Sequence, residues 1–132
     1  MRKGSKEANN IIKTALSYNG TPYKYGGTTK RGMDCSGLIY ISFQENDIAL
    51  QRASYMMATQ GKKIKLKNVE KGDLLFFTTN KSSRKINHVG LVVDVRGNDI
   101  RFIHSTTSRG VLVSSLSEGY WNYAFNHARK IL

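Results

Sequence analysis

The sequence predicts an α+β domain in which N-terminal helices pack on a central antiparallel β-sheet. Two observations carry this prediction. Apolar residues recur at helical spacing through the first part of the chain, whereas short runs rich in β-branched and aromatic residues, separated by turn residues, follow from Lys62 onward. The length of 132 residues is typical of one domain, so we expect residues 1–132 to fold as a single unit.

The first predicted helix starts after Ser5 and ends at Asn19-Gly20. Its apolar stripe consists of Ala8, Ile11, Ile12, Ala15 and Leu16. The segment 21–33 contains the only proline and several glycines, so we expect a loop there.

Two further helices are expected before the strands. The second begins after Asp34, a good N-cap, and ends near Asn46-Asp47. Its inward residues are Leu38, Ile39, Ile41 and Phe43. A short third helix covers residues 53–59 and ends at Gly61, and we assign Met56 and Met57 to the core.

Strands are expected over the rest of the chain, paired as an antiparallel meander. They cover residues 64–66, 73–78, 88–95, 100–105, 111–114 and 123–131. The tetrapeptide Arg96-Gly97-Asn98-Asp99 is typical of a hairpin turn, so the strands on either side of it should be neighbours.

Basic residues dominate the charge, with 21 Lys and Arg against 9 Asp and Glu and a net charge of +12. Such a chain prefers anionic partners such as nucleic acid, anionic lipid or acidic cell-wall polymer. The cations are dispersed and no helix-turn-helix, zinc-finger or RNP pattern occurs, so we do not expect nucleic acid as a partner. No apolar run approaches the roughly 18 to 20 residues of a membrane span, and the N-terminus lacks the apolar stretch of a signal peptide.

Cys35 is the only cysteine, so no intrachain disulfide is expected. A lone cysteine is more often a small buried apolar residue. Here it lies between Asp34 and Ser36-Gly37 in the first turn of a helix, where backbone N–H groups and the helix dipole favour the thiolate. This position suits a nucleophile.

Two histidines could complete a nucleophilic site. A thiol nucleophile needs a base within hydrogen-bonding reach and a third group that fixes the tautomer of the base. The predicted hairpin can bring His88 and His104 together, although each of them alone could equally be structural. His127 lies near no turn or helix start, so we expect it to be structural. Cys35 and the histidines lack the short spacing of zinc ligands, so we expect no metal.

Several fragments, in order along the chain, carry a family resemblance. They are Pro22-Tyr23-Lys24-Tyr25-Gly26-Gly27, Asp34-Cys35-Ser36-Gly37-Leu38, Lys71-Gly72-Asp73-Leu74, His88-Val89-Gly90 and Phe102-Ile103-His104-Ser105. Together they resemble the NlpC-type papain-like cysteine peptidases, which cut bacterial peptidoglycan. The resemblance extends over nearly the whole chain.

The resemblance implies a papain-like fold and a cysteine endopeptidase that hydrolyses the γ-D-glutamyl–diamino acid bond of peptidoglycan stem peptides. Cys35 would be the nucleophile, His88 the general base and acid, and His104 the residue that orients His88. Tyr23 matches a tyrosine whose hydroxyl could help the Cys35 backbone N–H stabilise the oxyanion. The positions that match the substrate groove of the family are Tyr25, Asp34 and Ser36. The same three residues could instead serve packing, in the case of Tyr25, or helix capping.

The resemblance also implies where and with what the protein acts. The partner would be the peptidoglycan stem peptide, and the location the cell envelope, periplasmic or secreted, with a leader that this chain lacks. We expect no cofactor and a monomer. The basic segment 81–85 shortly precedes His88, so we expect it at the rim of the groove.

Two other functions remain open on the sequence. One is a related cell-wall amidase or acyltransferase with the same Cys-His core, although in the acyltransferases the histidine precedes the cysteine, and in the amidases the third residue is usually acidic or an amide. The other is a non-catalytic basic module that binds an anionic polymer. Binding by such a module would weaken steeply with salt and survive Cys35→Ala.

Overall fold

The computed structural model describes residues 3–80 and 82–132, with side chains from Lys6 onward. The first elements are α1 (Lys3–Leu16), β1 (Thr28–Thr29), β2 (Gly32–Met33), α2 (Cys35–Gln44) and α3 (Ser54–Met57). They are followed by β3 (Lys62–Ile64), β4 (Leu74–Phe77), β5 (His88–Arg96), β6 (Asp99–Thr106), β7 (Gly110–Ser115), α4 (Gly119–Ala124) and β8 (Phe125–Lys130). Helices that precede an antiparallel sheet confirm the α+β prediction.

Strands β3 to β8 form a six-stranded sheet in the order β3-β8-β4-β5-β6-β7, and every neighbouring pair is antiparallel. The antiparallel pairing is therefore confirmed. The predicted meander is wrong in one place, because β8 inserts between β3 and β4. All residues of β4 are buried, so their backbone groups need a hydrogen-bonded partner strand on both sides.

The sheet separates two apolar cores. Leu74 and Phe76 of β4 join the core that is shared with α1, α2 and α3. The alternate residues Leu75 and Phe77 join the opposite core, against which Trp121 of α4 packs. This alternation follows from the period of two in a strand, so β4 is apolar throughout because helices cover both of its faces.

The predicted apolar faces of the helices are buried with three exceptions, of which one, Ile41, is half-buried. Buried as predicted are Ala8, Ile11, Ile12, Ala15, Leu38, Ile39, Phe43 and Met57. Leu16 and Met56 are largely exposed, since Leu16 is the last residue of α1 and a four-residue helix such as α3 buries a single face. Helix α1 already includes Ser5, whose side chain lies outside the described part. None of the helices in the described ranges is long and apolar enough to cross a bilayer.

Three local elements differ from the prediction. The predicted loop 21–33 contains the short β1–β2 hairpin, and Tyr23 forms a bridge with Met33 of β2. The strand predicted at 64–66 ends at Ile64 and continues as a 3₁₀ turn over Leu66–Asn68. Helix α4 replaces the start of the last predicted strand, because Trp121 and Ala124, at helical spacing, both pack on the second core.

Gly90 of β5 leaves space for the aromatic ring that packs beside His104 of β6. A Cβ atom at Gly90 would lie 2.6 Å from Cδ2 of Phe102. The Phe102 ring uses this space to pack against His104, with ring centres 4.4 Å apart. The glycine of the His88-Val89-Gly90 fragment is thus explained by the position of a neighbouring aromatic ring.

We predict that Gly90→Ala destabilises the protein by about 1 to 3 kcal/mol, because the added methyl group forces the Phe102 ring to move in a packed core. Thermal or denaturant unfolding monitored by circular dichroism measures the loss. Gly119→Ala is the matched control, because a Cβ atom there meets no neighbour within 4 Å. Equal stabilities of the two variants would contradict the steric explanation.

Candidate active site

Cys35 lies at the first position of α2, and Asp34 caps the helix. The Asp34 Oδ1 atom accepts a 2.7 Å hydrogen bond from the Gly37 N–H, which confirms the predicted N-cap. The Cys35 thiol is partly exposed, and its Sγ atom lies 3.8 Å from the carbonyl oxygen of Asn87. Since Asn87 directly precedes His88, the start of α2 and the start of β5 meet at this point.

The Asp34 carboxylate is engaged in more than capping. Its Oδ2 atom accepts a 2.9 Å hydrogen bond from the Gly26 N–H, and its Oδ1 atom accepts one of 3.1 Å from Arg52 Nη2. Arg52 Nη1 in turn donates a 2.7 Å bond to the Ser36 hydroxyl. Asp34 and Ser36 therefore hold the Gly26 loop, the start of α2 and Arg52 together, whether or not they also contact a substrate.

Close backbone contacts fix the same loop on the sheet. A Cβ atom at Gly37 would collide with the carbonyl oxygen of Gly27, so the glycines of both quoted fragments meet face to face. The Ser105 hydroxyl of β6 donates a 2.7 Å hydrogen bond to the Met33 carbonyl, two residues before Cys35. These contacts tie the position of the thiol to the strand that carries the second histidine.

The structure brings the two predicted histidines together. His88 Nε2 and His104 Nδ1 lie 2.8 Å apart, and His104 Nε2 lies 2.8 Å from the hydroxyl oxygen of Ser114. His88 is 7% exposed and His104 is fully buried. Because the Nε2 atom of His88 is committed to His104, its Nδ1 atom is the one left for a proton of the Cys35 thiol.

An aromatic cluster encloses the histidine pair. The Trp121 ring of α4 stacks on His88, with centres 4.9 Å apart and planes inclined by 22°. It meets His104 edge-on, with ring centres 4.6 Å apart. Phe77 packs against His88, and Phe102 packs against His104. Apolar rings in these positions exclude water from the hydrogen-bonded chain and strengthen its electrostatic interactions.

Burial decides the protonation of the resting site. It raises the pKa of the Cys35 thiol to about 11, with a further contribution from the Asp34 carboxylate, while backbone hydrogen bonds of Val89 in β5 and of Ser36 and Cys35 at the helix start lower it by less. Burial also lowers the pKa values of His88 and His104, in the latter case together with the neighbouring His88. The helix start therefore favours the thiolate as expected, but loss of solvation exceeds that effect and the net pKa shift favours the neutral thiol.

Two cavities meet at Cys35 and form one groove. The His88 cavity has a volume of about 420 Å³ and includes His88, Arg109 and Glu118 in its lining. The Asp34 cavity has a volume of about 650 Å³ and includes Asp34, Ser36, Arg52 and Lys85. Residues that line both cavities include Tyr23 and Cys35.

The predicted tyrosines lie on this groove. Burial raises the pKa of Tyr23, and the neighbouring Cys35 and Asp34 raise it further, so its phenol stays protonated beside the thiol. Tyr25 is 88% exposed and lines the Asp34 cavity, so it is not a core packing residue. Both positions suit contacts with a bound ligand.

The remaining predictions concern residues other than Cys35, His88 and His104. His127 stacks on Phe76 with ring centres 5.1 Å apart and accepts a hydrogen bond from Arg129, which agrees with a structural role. Lys85 lines the Asp34 cavity as predicted for the 81–85 segment, with its Nζ atom 4.1 Å from the ring centre of Tyr55. Lys81 lies outside the described residues. Within residues 3–80 and 82–132, no group of three or more His, Cys, Asp and Glu side chains could hold a metal ion.

Sequence reasoning missed three residues of the site, namely Arg52, Ser114 and Trp121. Arg52 is a common residue type whose partners Ser36 and Asp34 lie 16 and 18 residues away in sequence, and Ser114 is a common residue type on the strand paired with β6. Trp121 had a usable signal, since it is the only tryptophan and is spaced three residues from Ala124. An apolar pair at that spacing favours a helix over the predicted strand.

Comparisons with known proteins identify the family of this chain. A family model described as the NlpC/P60 family matches residues 20–130. The murein DD-endopeptidase MepS/murein LD-carboxypeptidase of Escherichia coli (strain K12) is 37% identical over 123 residues, which are 92% of this chain and 62% of that protein. The bifunctional muramidase/DL-endopeptidase CwlT of Bacillus subtilis (strain 168) is 38% identical over 112 residues, 84% of this chain and 32% of that protein.

Solved structures show the same fold. An NlpC/P60 family protein from Bacillus cereus has a TM-score of 0.85 at 27% identity, with 95% of this chain and 40% of the other covered. This chain thus spans less than two thirds of the length of each of these relatives. The family match and the identity to these relatives confirm the resemblance, and this chain belongs to the NlpC/P60 family.

Proposed function

We propose that this protein is a cysteine endopeptidase that hydrolyses the γ-D-glutamyl–diamino acid bond of peptidoglycan stem peptides. The observation that carries the proposal is that Cys35 and His88 line one cavity, while the buried His104 lies 2.8 Å from His88 Nε2. A thiol, a base and a group that orients the base are what nucleophilic acyl transfer requires. We place its action at the cell envelope, in the periplasm or after secretion, by a monomer without a cofactor.

The reaction begins with a neutral thiol and a neutral imidazole. As Cys35 Sγ bonds to the substrate carbonyl carbon, its proton moves to His88 Nδ1, and His104 accepts a hydrogen bond from the imidazolium. The carbon–nitrogen bond then breaks and His88 gives the proton to the leaving amine. Water, deprotonated by His88 in the same way, attacks the thioester and releases the acid and the free thiol.

When the thiol attacks, the oxygen of the substrate carbonyl becomes an oxyanion that needs hydrogen-bond donors. The N–H of Cys35 lies in the first helical turn beside its own thiol, where no intrahelical acceptor exists, so it can point at a ligand bound there. The Tyr23 hydroxyl, which remains protonated, is the second donor in this proposal.

The position of the base determines which half of the substrate lies in each cavity. His88 must reach the leaving nitrogen and lines the His88 cavity, so the diamino acid lies there and the acyl part lies in the Asp34 cavity. Arg109 and Glu118 in the His88 cavity offer partners for a carboxylate and an ammonium, both of which occur on diamino acids.

A peptidoglycan bond between two D-centres is a second candidate for cleavage. The Bacillus subtilis relative is named a DL-endopeptidase, and another, 34% identical over 122 residues, is named a gamma-DL-glutamyl hydrolase. The Escherichia coli relative is named a murein DD-endopeptidase, which favours cleavage of a bond between two D-centres. Both bonds are amides of peptidoglycan, and the same Cys35 chemistry would serve either.

We predict that Cys35→Ala and His88→Ala each abolish turnover of defined muropeptides, because both residues take part in bond making. His104→Ala should lose less, since the base remains but is misoriented. Mass spectrometry of the products measures turnover and locates the scissile bond, and His127→Ala is the control histidine. Near-normal turnover by the Cys35 variant would contradict the cysteine mechanism, and products cut at another bond would replace the proposed specificity.

We predict that Tyr23→Phe lowers kcat by roughly tenfold to a thousandfold with little change in KM, because an oxyanion donor acts mainly in the transition state. Steady-state kinetics measures both constants. Tyr123→Phe is the control, since this exposed tyrosine of α4 is outside the lining of both cavities. A raised KM with unchanged kcat would instead assign Tyr23 to substrate binding.

We predict a broad pH optimum for kcat/KM. Because the pKa of His88 is lowered from 6.5, the base remains unprotonated until the pH falls below that value, so the acid limb lies below pH 6.5. Because the pKa of Cys35 is raised from 9.0, the alkaline limb lies above pH 9.0. The rate of iodoacetamide alkylation of Cys35 should rise in the same alkaline range. An acid limb above pH 6.5 would be inconsistent with a buried neutral pair.

A further inference from the structure

Ser114 is a buried serine on the strand next to the second histidine. Strand β7 pairs with β6, and Ser114 lies directly opposite Phe102, two residues before His104. The serine is 5% exposed, and its hydroxyl oxygen lies 2.8 Å from His104 Nε2. The hydrogen-bonded chain therefore runs from His88 through His104 to Ser114.

Only one arrangement of protons along this series of hydrogen bonds leaves His88 able to act as a base toward Cys35. A single hydrogen lies between His88 Nε2 and His104 Nδ1. If His88 donates it, His88 Nδ1 is bare and can accept the Cys35 proton, and neutral His104 then carries its own proton on Nε2. If His104 donates it, His88 carries its proton on Nδ1 and is no longer a base toward Cys35.

We infer that Ser114 is a positioning residue that holds His104 in the Nε2–H tautomer by accepting its hydrogen bond, and so keeps His88 Nδ1 free to act as a base. This inference rests on the proposed function. In the productive arrangement the buried His104 N–H needs an acceptor, and the Ser114 oxygen is placed to supply it. Without that oxygen a buried donor is unsatisfied, whereas the inactive tautomer leaves only a lone pair unsatisfied, which is less unfavourable.

The groups around the His104 ring are uncharged, so a charge introduced beside this ring would test the assignment. The groups that contact its ring are His88 from β5, Phe102 from β6, Ser114 from β7 and Trp121 from α4. The charged side chains that line the His88 cavity, which Ser114 also lines, are Arg109 and Glu118, both exposed. A carboxylate introduced at position 114 would act directly on the histidine pair.

The first experiment reads the tautomers without any substrate. In ¹⁵N-histidine NMR spectra of the parent, we expect His104 with its proton on Nε2 and His88 with a bare Nδ1. In Ser114→Ala a population with His88 protonated on Nδ1 should appear. A parent protein with His104 protonated on Nδ1 overturns the inference, whatever the activity and whether or not the variant folds.

The second experiment measures kinetics on muropeptides. Ser114→Ala should lower kcat by about tenfold to a hundredfold, the loss expected for one unsatisfied buried donor, with KM unchanged. Ser114→Thr, which keeps the hydroxyl, should restore most of the rate. Ser114→Asp should move the acid limb of kcat/KM to higher pH, because the carboxylate stabilises an imidazolium.

The control for both experiments is Ser42→Ala. Ser42 is also a fully buried serine with a 2.7 Å hydrogen bond, in its case to the Leu38 carbonyl, but it lies away from the groove. It should leave the tautomers, kcat and the pH profile unchanged. Unaltered tautomers and a kcat within twofold of the parent in a folded Ser114→Ala protein would also overturn the inference. A parent that cleaves no muropeptide would refute the proposed function alone, since the NMR result stands independently.

Discussion

His88 Nε2 and His104 Nδ1 lie 2.8 Å apart where neither ring reaches much solvent. Such a bond requires two strands in a fixed register, because a slip of one residue would turn one ring to the opposite face of the sheet. The turn at Arg96-Gly97-Asn98-Asp99 joins β5 to β6, and Gly90 leaves room for the ring that packs behind His104. The architecture of β5, β6 and α4 therefore follows from the need to enclose this pair.

Cys35 reaches the pair from the other layer of the fold. Helix α2 packs on the face of the sheet opposite α4, so the thiol approaches at the end of the strands, where Asn87 meets the start of the helix. The burial that protects the histidine pair also raises the thiol pKa, so the resting site holds neutral groups. In the proposed reaction, proton transfer is then coupled to substrate attack, and the interactions that stabilise charge act mainly in the transition state.

Local patterns predicted those parts of the fold and the site that are close in sequence. Helices α1 and α2, the Asp34 cap and the hairpin between the histidines each depend on neighbours along the chain. The insertion of β8 beside β4 depends on pairing between strands that are far apart along the chain, for which the sequence carries no turn motif. Ser114 lies on the strand that follows β6 after a short turn, but the pattern of β7 alone does not show that its hydroxyl reaches His104. The net pKa shift of Cys35 was not predicted because the helix start is local, whereas the burial of Cys35 comes from tertiary packing.

The net charge of +12 and the neutral histidine pair belong to different parts of the molecule. Several carboxylates are engaged by cations of their own surroundings, as in Asp34 with Arg52 and Asp73 with Lys130, so much of the remaining surface is basic. A basic exterior attracts anionic polymers at long range, and this attraction weakens as salt is raised. The histidine pair, enclosed by aromatic rings, is screened much less, so salt should affect encounter with substrate more than the chemical step.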